Sequence, residues 1–129
     1  MTNRSPHSTR RQTTVLTYLA PALVAHAGLF ALLATFGGGN RLFLWWLSMS
    51  LISLPLMGWD KFAARQSLPR IPEAVFYSLC LLGGFAGVCL GMVLFRHKTL
   101  KPGFWAIVVL AASLHLGLWY LLARRVNPG

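Results

Sequence analysis

Acidic residues are almost missing from this sequence, because Asp60 and Glu73 are the only two among 129 residues. Charged residues of both signs make up 11% of the chain, whereas they make up about a quarter of a typical soluble domain. So little charge cannot cover a water-facing surface, which excludes an ordinary soluble protein. Apolar residues make up 56% of the chain, and this surplus predicts a membrane protein.

Motifs for soluble-type catalysis are also missing. The sequence contains no nucleophile–base pair, phosphate-binding glycine loop or metal-ligand motif, so we expect neither catalysis of that type nor a metal site. Cys80 and Cys89 lie in one apolar run, about 13 Å apart along a helix, which is too far for a disulfide. We expect both to be small buried residues.

Four uncharged apolar stretches are each long enough to cross roughly 30 Å of hydrocarbon. They cover residues 15–36, 42–59, 74–95 and 102–123. The sequence therefore predicts an all-α, polytopic transmembrane fold of four helices. A basic tail, residues 1–14, precedes a single transmembrane domain, residues 15–129.

Basic residues between these stretches predict the orientation. The N-terminal tail, the loop at 60–73 and the C-terminal tail hold eight of the twelve Lys and Arg. The positive-inside rule then places both termini in the cytoplasm. Arg96, Lys98 and Lys101 argue the other way. A second topology therefore stays open, in which the Gly-rich third stretch is a re-entrant hairpin and brings these residues beside the loop.

Residues 58–104 carry a specific string of motifs. They are Gly58-Trp59-Asp60-Lys61 with Ala64, Arg70-Ile71-Pro72-Glu73, Gly83-Gly84 with Gly87, and Phe95-Arg96-His97-Lys98-Thr99 with Lys101 and Phe104. This string resembles a bacterial family catalogued as domain of unknown function 1294. The resemblance implies a small protein of the bacterial inner (cytoplasmic) membrane and supplies no reaction. Some members are fused to a cold-shock domain, which we do not find here, whereas an additional N-terminal helix is expected.

Charge placement bears on possible partners. The net charge of +10 could indicate nucleic acid, but the basic residues lie between apolar runs, so we expect anionic lipid headgroups instead. Candidate lipid- or anion-contacting residues are Asp60, Lys61, Arg70, Glu73, Arg96, His97 and Lys98. Either the acids pair with these cations and fix the loop at the headgroup boundary, or the cations bind a phosphate or carboxylate. Four crossings would put these groups on opposite faces, which weakens an anion site.

Small residues recur on the third stretch. Gly83, Gly87 and Gly91 lie four residues apart, a spacing that lets another helix approach closely. We expect a packing face, within the protein or against a partner. A Gly87→Leu substitution should disrupt it, whereas Val88→Leu should be tolerated.

Two histidines lie inside apolar stretches, where polar side chains are costly and usually functional. His26 and His115 are at similar predicted depths. Neutral imidazole can ligate haem iron or the magnesium of a chlorophyll-type pigment, and it can equally bond to a neighbouring helix. We expect no cofactor, with a tetrapyrrole as the alternative.

Three functional hypotheses follow. The leading one is a non-enzymatic accessory or assembly subunit that packs against a larger membrane complex. The alternatives are a tetrapyrrole-binding subunit and a lipid-headgroup enzyme or transporter. Expected partners are membrane lipids, including anionic headgroups, and other membrane protein subunits.

Overall fold

The computed structural model describes residues 6–95, 101–127 and 129, with side chains from Thr14 onward. Within this part of the chain the structure is helical and contains no strand. The helices are α1 (Pro6–Phe36), α2 (Arg41–Arg65), α3 (Glu73–Leu79), α4 (Phe85–Leu94) and α5 (Pro102–Val126), and a π-helical turn (Cys80–Gly84) joins α3 to α4.

Four helical segments are long and apolar enough to cross a membrane, which confirms the predicted all-α polytopic fold. They are Thr14–Phe36, Arg41–Arg65, Glu73–Leu94 and Pro102–Val126. The helices extend past several predicted boundaries, because a run of uncharged residues ends at the first charge whereas a helix does not. α1 therefore begins at Pro6, inside the predicted tail, and α2 continues to Arg65.

The two ends of the third segment lie at the same end of α2. The segment begins beside that end, because the backbone N–H of Ile71 bonds to Asp60. It also finishes there, because the ring of Phe95 lies against Gly58. Its middle reaches the opposite part of α2, where Gly83 lies against the indole ring of Trp45. α3, the π turn and α4 therefore form a re-entrant hairpin, the second of the two predicted topologies.

Glycine makes the reversal possible. Gly83 has φ of 120° and ψ of 0°, a conformation that residues with a Cβ rarely adopt. Gly83 was predicted to belong to the packing stripe, but it lies at the turn instead. Past the turn, small residues let α4 approach α2. A Cβ on Gly87 would lie 2.6 Å from the Cα of Ser50, and one on Gly91 would lie 2.7 Å from the Cβ of Met57.

The packing of α4 on α2 corrects one prediction. Val88 is completely buried, so its replacement by leucine would also crowd the core and is not a neutral control. Ala86 is exposed and is the suitable control position. The core around this contact contains the fully buried side chains of Met49, Met57 and Met92.

Because the third segment is a hairpin, the helices that run the length of the bundle are α1, α2 and α5. The last turns of α5 share a cleft with Asn40 and Leu42 at the start of α2, so α5 runs antiparallel to α2. α1 also runs antiparallel to α2, since Tyr18 lies in a groove with Pro55 whereas His26 contacts Ser48, earlier in α2. The start of α1 and the end of α5 therefore lie at opposite ends of the bundle. The placement of both termini in the cytoplasm was predicted from four crossings, and the side of the membrane on which each end lies stays a prediction.

The hairpin also changes the charge distribution. We call the end of the bundle at 58–73, Phe95 and Lys101 the basic end, and the end at 37–42 and 122–127 the far end. Nine of the twelve Lys and Arg belong to segments that lead into or out of the basic end, and three belong to the far end. This bias is stronger than the one that four crossings would give.

Candidate functional site at the basic end

A buried carboxylate lies at the centre of the basic end. Asp60 is near the end of α2 and has no exposed surface. Its Oδ1 accepts a hydrogen bond from the backbone N–H of Ile71 at 3.0 Å, and its Oδ2 lies 3.6 Å from the half-exposed guanidinium of Arg70. A buried charge is costly unless it is paired and hydrogen-bonded. These contacts hold the loop against α2 just before the hairpin starts.

The second acid joins the start of the hairpin to the start of α5. Glu73 is in the first turn of α3, where a negative charge also interacts favourably with the helix dipole. It forms an ion pair with Lys101, which caps α5. It also accepts a hydrogen bond from the Tyr77 hydroxyl at 3.4 Å. The first turns of α3 and α5 are thus fixed at one point.

Lys61 holds the other end of the hairpin. Its ammonium donates a hydrogen bond to the carbonyl of Phe95, the residue that follows α4. The last carbonyls of a helix have no partner inside the helix, and a lysine is a suitable donor to them. The Phe95 ring meanwhile packs on Gly58, where any larger residue would displace it.

Asp60, Lys61, Arg70, Glu73 and Lys101 therefore form a set that we call the charge clasp. The interpretation in which the acids pair with cations and fix the loop agrees with this geometry. Three of the predicted contact residues, Arg96, His97 and Lys98, lie outside the described residues, although the chain enters and leaves that segment at the basic end. Among the predicted site residues Lys101 was missing. Its signal was its position directly before the Pro102-Gly103 helix start.

The deep end of the hairpin carries a second polar cluster. Carbonyls freed at a turn cost several kcal/mol in a membrane if they stay unpaired. The indole N–H of Trp45 donates to the Leu82 carbonyl at 2.7 Å, and His115 Nε2 lies 2.9 Å from the Leu81 carbonyl. Trp46 donates to His115 Nδ1 at 3.1 Å. Since an indole can only donate, His115 Nδ1 accepts and its Nε2–H donates.

His26 is placed differently. It is 3% exposed, and its Nδ1 lies 3.0 Å from the Ser48 hydroxyl. That hydroxyl donates its one proton to the Trp45 carbonyl, so Nδ1–H must be the donor to Ser48. His26 Nε2 is then an acceptor, buried and without a partner among the described residues. The two histidines predicted to share a ligand thus have different surroundings.

The described part of the chain contains no set of side chains that could bind a metal ion. No group of three or more His, Cys, Asp or Glu side chains converges there. Both cysteines are free thiols, and Cys80 is fully buried. The polar groups of the two clusters instead contact helix ends, turns and one another.

Comparison with known proteins gives a match to one family model over part of the chain. Residues 50–104 match the family model described as Protein of unknown function (DUF1294), which confirms the resemblance over this segment. Neither the curated proteins nor the solved structures contain a match to the chain. The matched segment corresponds to the second half of α2, the hairpin and the start of α5. It therefore contains the whole charge clasp and the turn at Gly83.

Proposed function

We propose that this protein is a non-enzymatic, multi-pass membrane subunit that packs against a larger membrane assembly through the outer faces of α1 and α5. The observation that carries the proposal is the use of its polar groups. Asp60, Glu73 and Lys61 hold the hairpin, and Trp45 and His115 bond to its turn. Groups engaged in this way are poorly suited to act on a substrate.

The surface offered to a partner is apolar and extensive. The buried residues of α5 are Phe104, Val108 and Ala111, all in its first half. Beyond His115 large side chains are exposed, among them Leu116, Leu118, Tyr120 and Leu121. Helices associate in membranes through close packing of such faces rather than through hydrophobic burial. Rigid aromatic side chains are also enriched at protein interfaces.

We further propose that the membrane is the inner membrane of a bacterium, with the basic end in the cytoplasm. The support is the excess of Lys and Arg at that end, which is the side that positive residues prefer.

Site-specific photocrosslinking tests the packing proposal. A photoreactive phenylalanine derivative replaces Leu118 of α5 in native membranes, and a matched variant carries it at Leu90 of α4. These side chains are 46% and 53% exposed, so both are accessible. We expect protein adducts of increased mass from Leu118 and lipid adducts from Leu90. Lipid adducts alone from Leu118, and likewise from Val24 of α1, would refute a packing subunit.

A second candidate function, contact with anionic headgroups, gains support from the hairpin. It places the loop 60–73, Phe95 and Lys101 at the same end of the bundle, which removes the objection that four crossings raise. This geometry favours binding of phosphate groups at the basic end, in a lipid-headgroup enzyme or transporter or as simple attachment. Purified protein should retain phosphatidylglycerol in preference to phosphatidylcholine. Loss of this preference in Arg65→Gln, a substitution at the end of α2, would support headgroup binding.

The tetrapyrrole alternative rests on His26 alone. Its free Nε2 and its bonded Nδ1 match the way a ligating histidine is usually oriented. His115 uses both ring nitrogens for Trp46 and the Leu81 carbonyl, so ligation would require those bonds to break. An absorbance spectrum of the protein purified from native membranes tests this alternative, since a bound haem or chlorophyll is coloured.

A further inference from the structure

A cleft opens at the far end of the bundle, opposite the charge clasp. Its volume is about 470 Å³, and it lies between the start of α2 and the last turns of α5. The lining residues are Asn40, Leu42, Trp119, Leu122, Ala123, Arg125, Val126 and Asn127. Neither the charge clasp nor the polar cluster at the turn contributes to it.

The length of the hairpin explains the cleft. The hairpin turns back at Gly83, at the level of Trp45, Trp46 and His115. α5 continues beyond this level to Val126, and it packs on the hairpin rather than along α2. Between the end of the hairpin and the far end of the bundle, α2 and α5 are therefore separated. A lipid chain, water or another protein must occupy this space in a membrane.

The lining distinguishes among these occupants. The walls are apolar, with Leu42, Leu122 and Val126 beside the ring of Trp119, so an acyl chain is better suited than water. Asn40, Arg125 and Asn127 add polar side chains to this lining, and Arg125 is its one cation. Such a lining, apolar for the most part with one cation, matches one molecule that is apolar along most of its length and anionic at its head.

Asn40 and Arg125 of the cleft have no acidic side chain nearby to pair with. The only two acids of the sequence, Asp60 and Glu73, both lie at the basic end. The Asn40 side-chain oxygen already accepts from the backbone N–H of Leu42 at 2.9 Å, which leaves its amide N–H groups to donate. Arg125 and Asn40 thus present donors to an anion that comes from outside the chain, and a guanidinium suits a phosphate.

We propose that this cleft binds one anionic phospholipid from the leaflet at the far end. Its phosphate contacts Arg125 and the Asn40 amide, and one acyl chain lies along Leu42, Trp119 and Leu122. This site is separate from the headgroup contacts considered for the basic end. It also does not depend on a partner at the outer face of α5.

Adjacent arginines provide a matched test. Arg124 lies with its guanidinium 5.7 Å from the Tyr120 ring centre and does not line the cleft, so Arg124→Gln removes the same charge at the same depth. The full chain is titrated in detergent with phosphatidylglycerol and phosphatidylcholine, and bound lipid is counted by native mass spectrometry. We expect one phosphatidylglycerol of preferred affinity, weakened roughly tenfold by Arg125→Gln, as for loss of a charge-assisted hydrogen bond. Arg124→Gln should leave it within about twofold.

Two further arms separate the lipid from other ligands. Ala123→Phe fills the cleft and should abolish the preferred site without a change in charge, while glycerol phosphate, which has no acyl chain, should not compete at equal concentration. Equal losses in Arg124→Gln and Arg125→Gln would overturn the proposal, because the effect would then be one of net charge. Equal affinity for the two lipids, or a second protein chain in place of the lipid, would overturn it as well.

Discussion

The two ends of this bundle are built in opposite ways. At the basic end, five charged side chains tie together α2, both ends of the hairpin and the start of α5. At the far end, α2 and α5 are separated by an apolar cleft. The cause is the same in both cases, because a segment that turns back must have both ends secured on one side and leaves space on the other. One hairpin thus accounts for the closed end and for the open one.

The largest difference between the two ends is expected in an experiment that determines on which side of the membrane each loop lies. Single cysteines at positions 67 and 98, and at 38 and 127, are introduced after removal of Cys80 and Cys89. We expect an all-or-none difference in labelling with an impermeant thiol reagent. Positions 38 and 127 should react in intact cells, and 67 and 98 only after permeabilisation. Position 98 reacting together with position 38 would instead show a third segment that crosses.

The close packing of α4 on α2 can be disrupted by a larger side chain at Gly87. A Gly87→Leu side chain would collide with the backbone of Ser50, and overpacking of this kind typically costs about 1–3 kcal/mol. Ala86→Leu adds a comparable side chain to the exposed face of the same helix. We expect a lowered thermal unfolding temperature in detergent for the first variant and little change for the second. Similar unfolding temperatures would contradict tight contact at Gly87.

The charge clasp can be weakened by substitution of either partner in the Asp60–Arg70 ion pair. Asp60→Ala leaves the buried N–H of Ile71 without its acceptor, which costs about 1–3 kcal/mol. Arg70→Gln removes the half-exposed partner but leaves Asp60 its hydrogen bond from the Ile71 N–H, so we expect a smaller loss. Asp60→Asn, which keeps an acceptor oxygen, should fall between them. Thermal unfolding gives the order, and a larger loss for Arg70→Gln than for Asp60→Ala would disprove it.

The smallest effect is expected at the deep end of the hairpin. Trp45→Phe keeps most of the ring but removes the donor to the Leu82 carbonyl. Hydrogen bonds between membrane helices contribute about 0.6 kcal/mol on average, so a loss of that order is expected. Trp59→Phe is the control, because Trp59 is half-exposed and its ring lies tilted beside that of Phe62. Faster amide exchange at Gly83 in Trp45→Phe alone would show that the turn has loosened.

Local properties of the sequence predict the number and approximate limits of the helices. Long uncharged runs mark all four segments, because each segment can be recognised without reference to the others. Hydropathy cannot distinguish a hairpin from a crossing here, since Glu73–Leu94 and Pro102–Val126 both have a mean hydropathy of 2.0. The distinguishing contacts join residues far apart in the chain, such as Lys61 with Phe95. Two local signals did point to a hairpin, namely the Gly83-Gly84 pair and the basic residues after Phe95.

Chemistry at the site was predicted in part. The sequence identified Asp60 and Glu73 because acids are rare in it, and the expectation that each has a cationic neighbour agrees with their contacts to Arg70 and Lys101. It did not identify Trp45 as a donor to the Leu82 carbonyl, because tryptophans near helix ends are also typical of the membrane interface. Nor could it predict the cleft, which depends on how far the hairpin reaches.

The position of the clasp in the chain has a consequence for biosynthesis. Translation produces the hairpin before two of the groups that secure it, since Lys101 follows Glu73 by 28 residues and the Phe95 carbonyl comes after α4. While these are still absent, the segment is apolar enough to enter the membrane as a crossing helix. We therefore expect the choice between a hairpin and a crossing to be made only after residues that follow this segment in the chain have been synthesised.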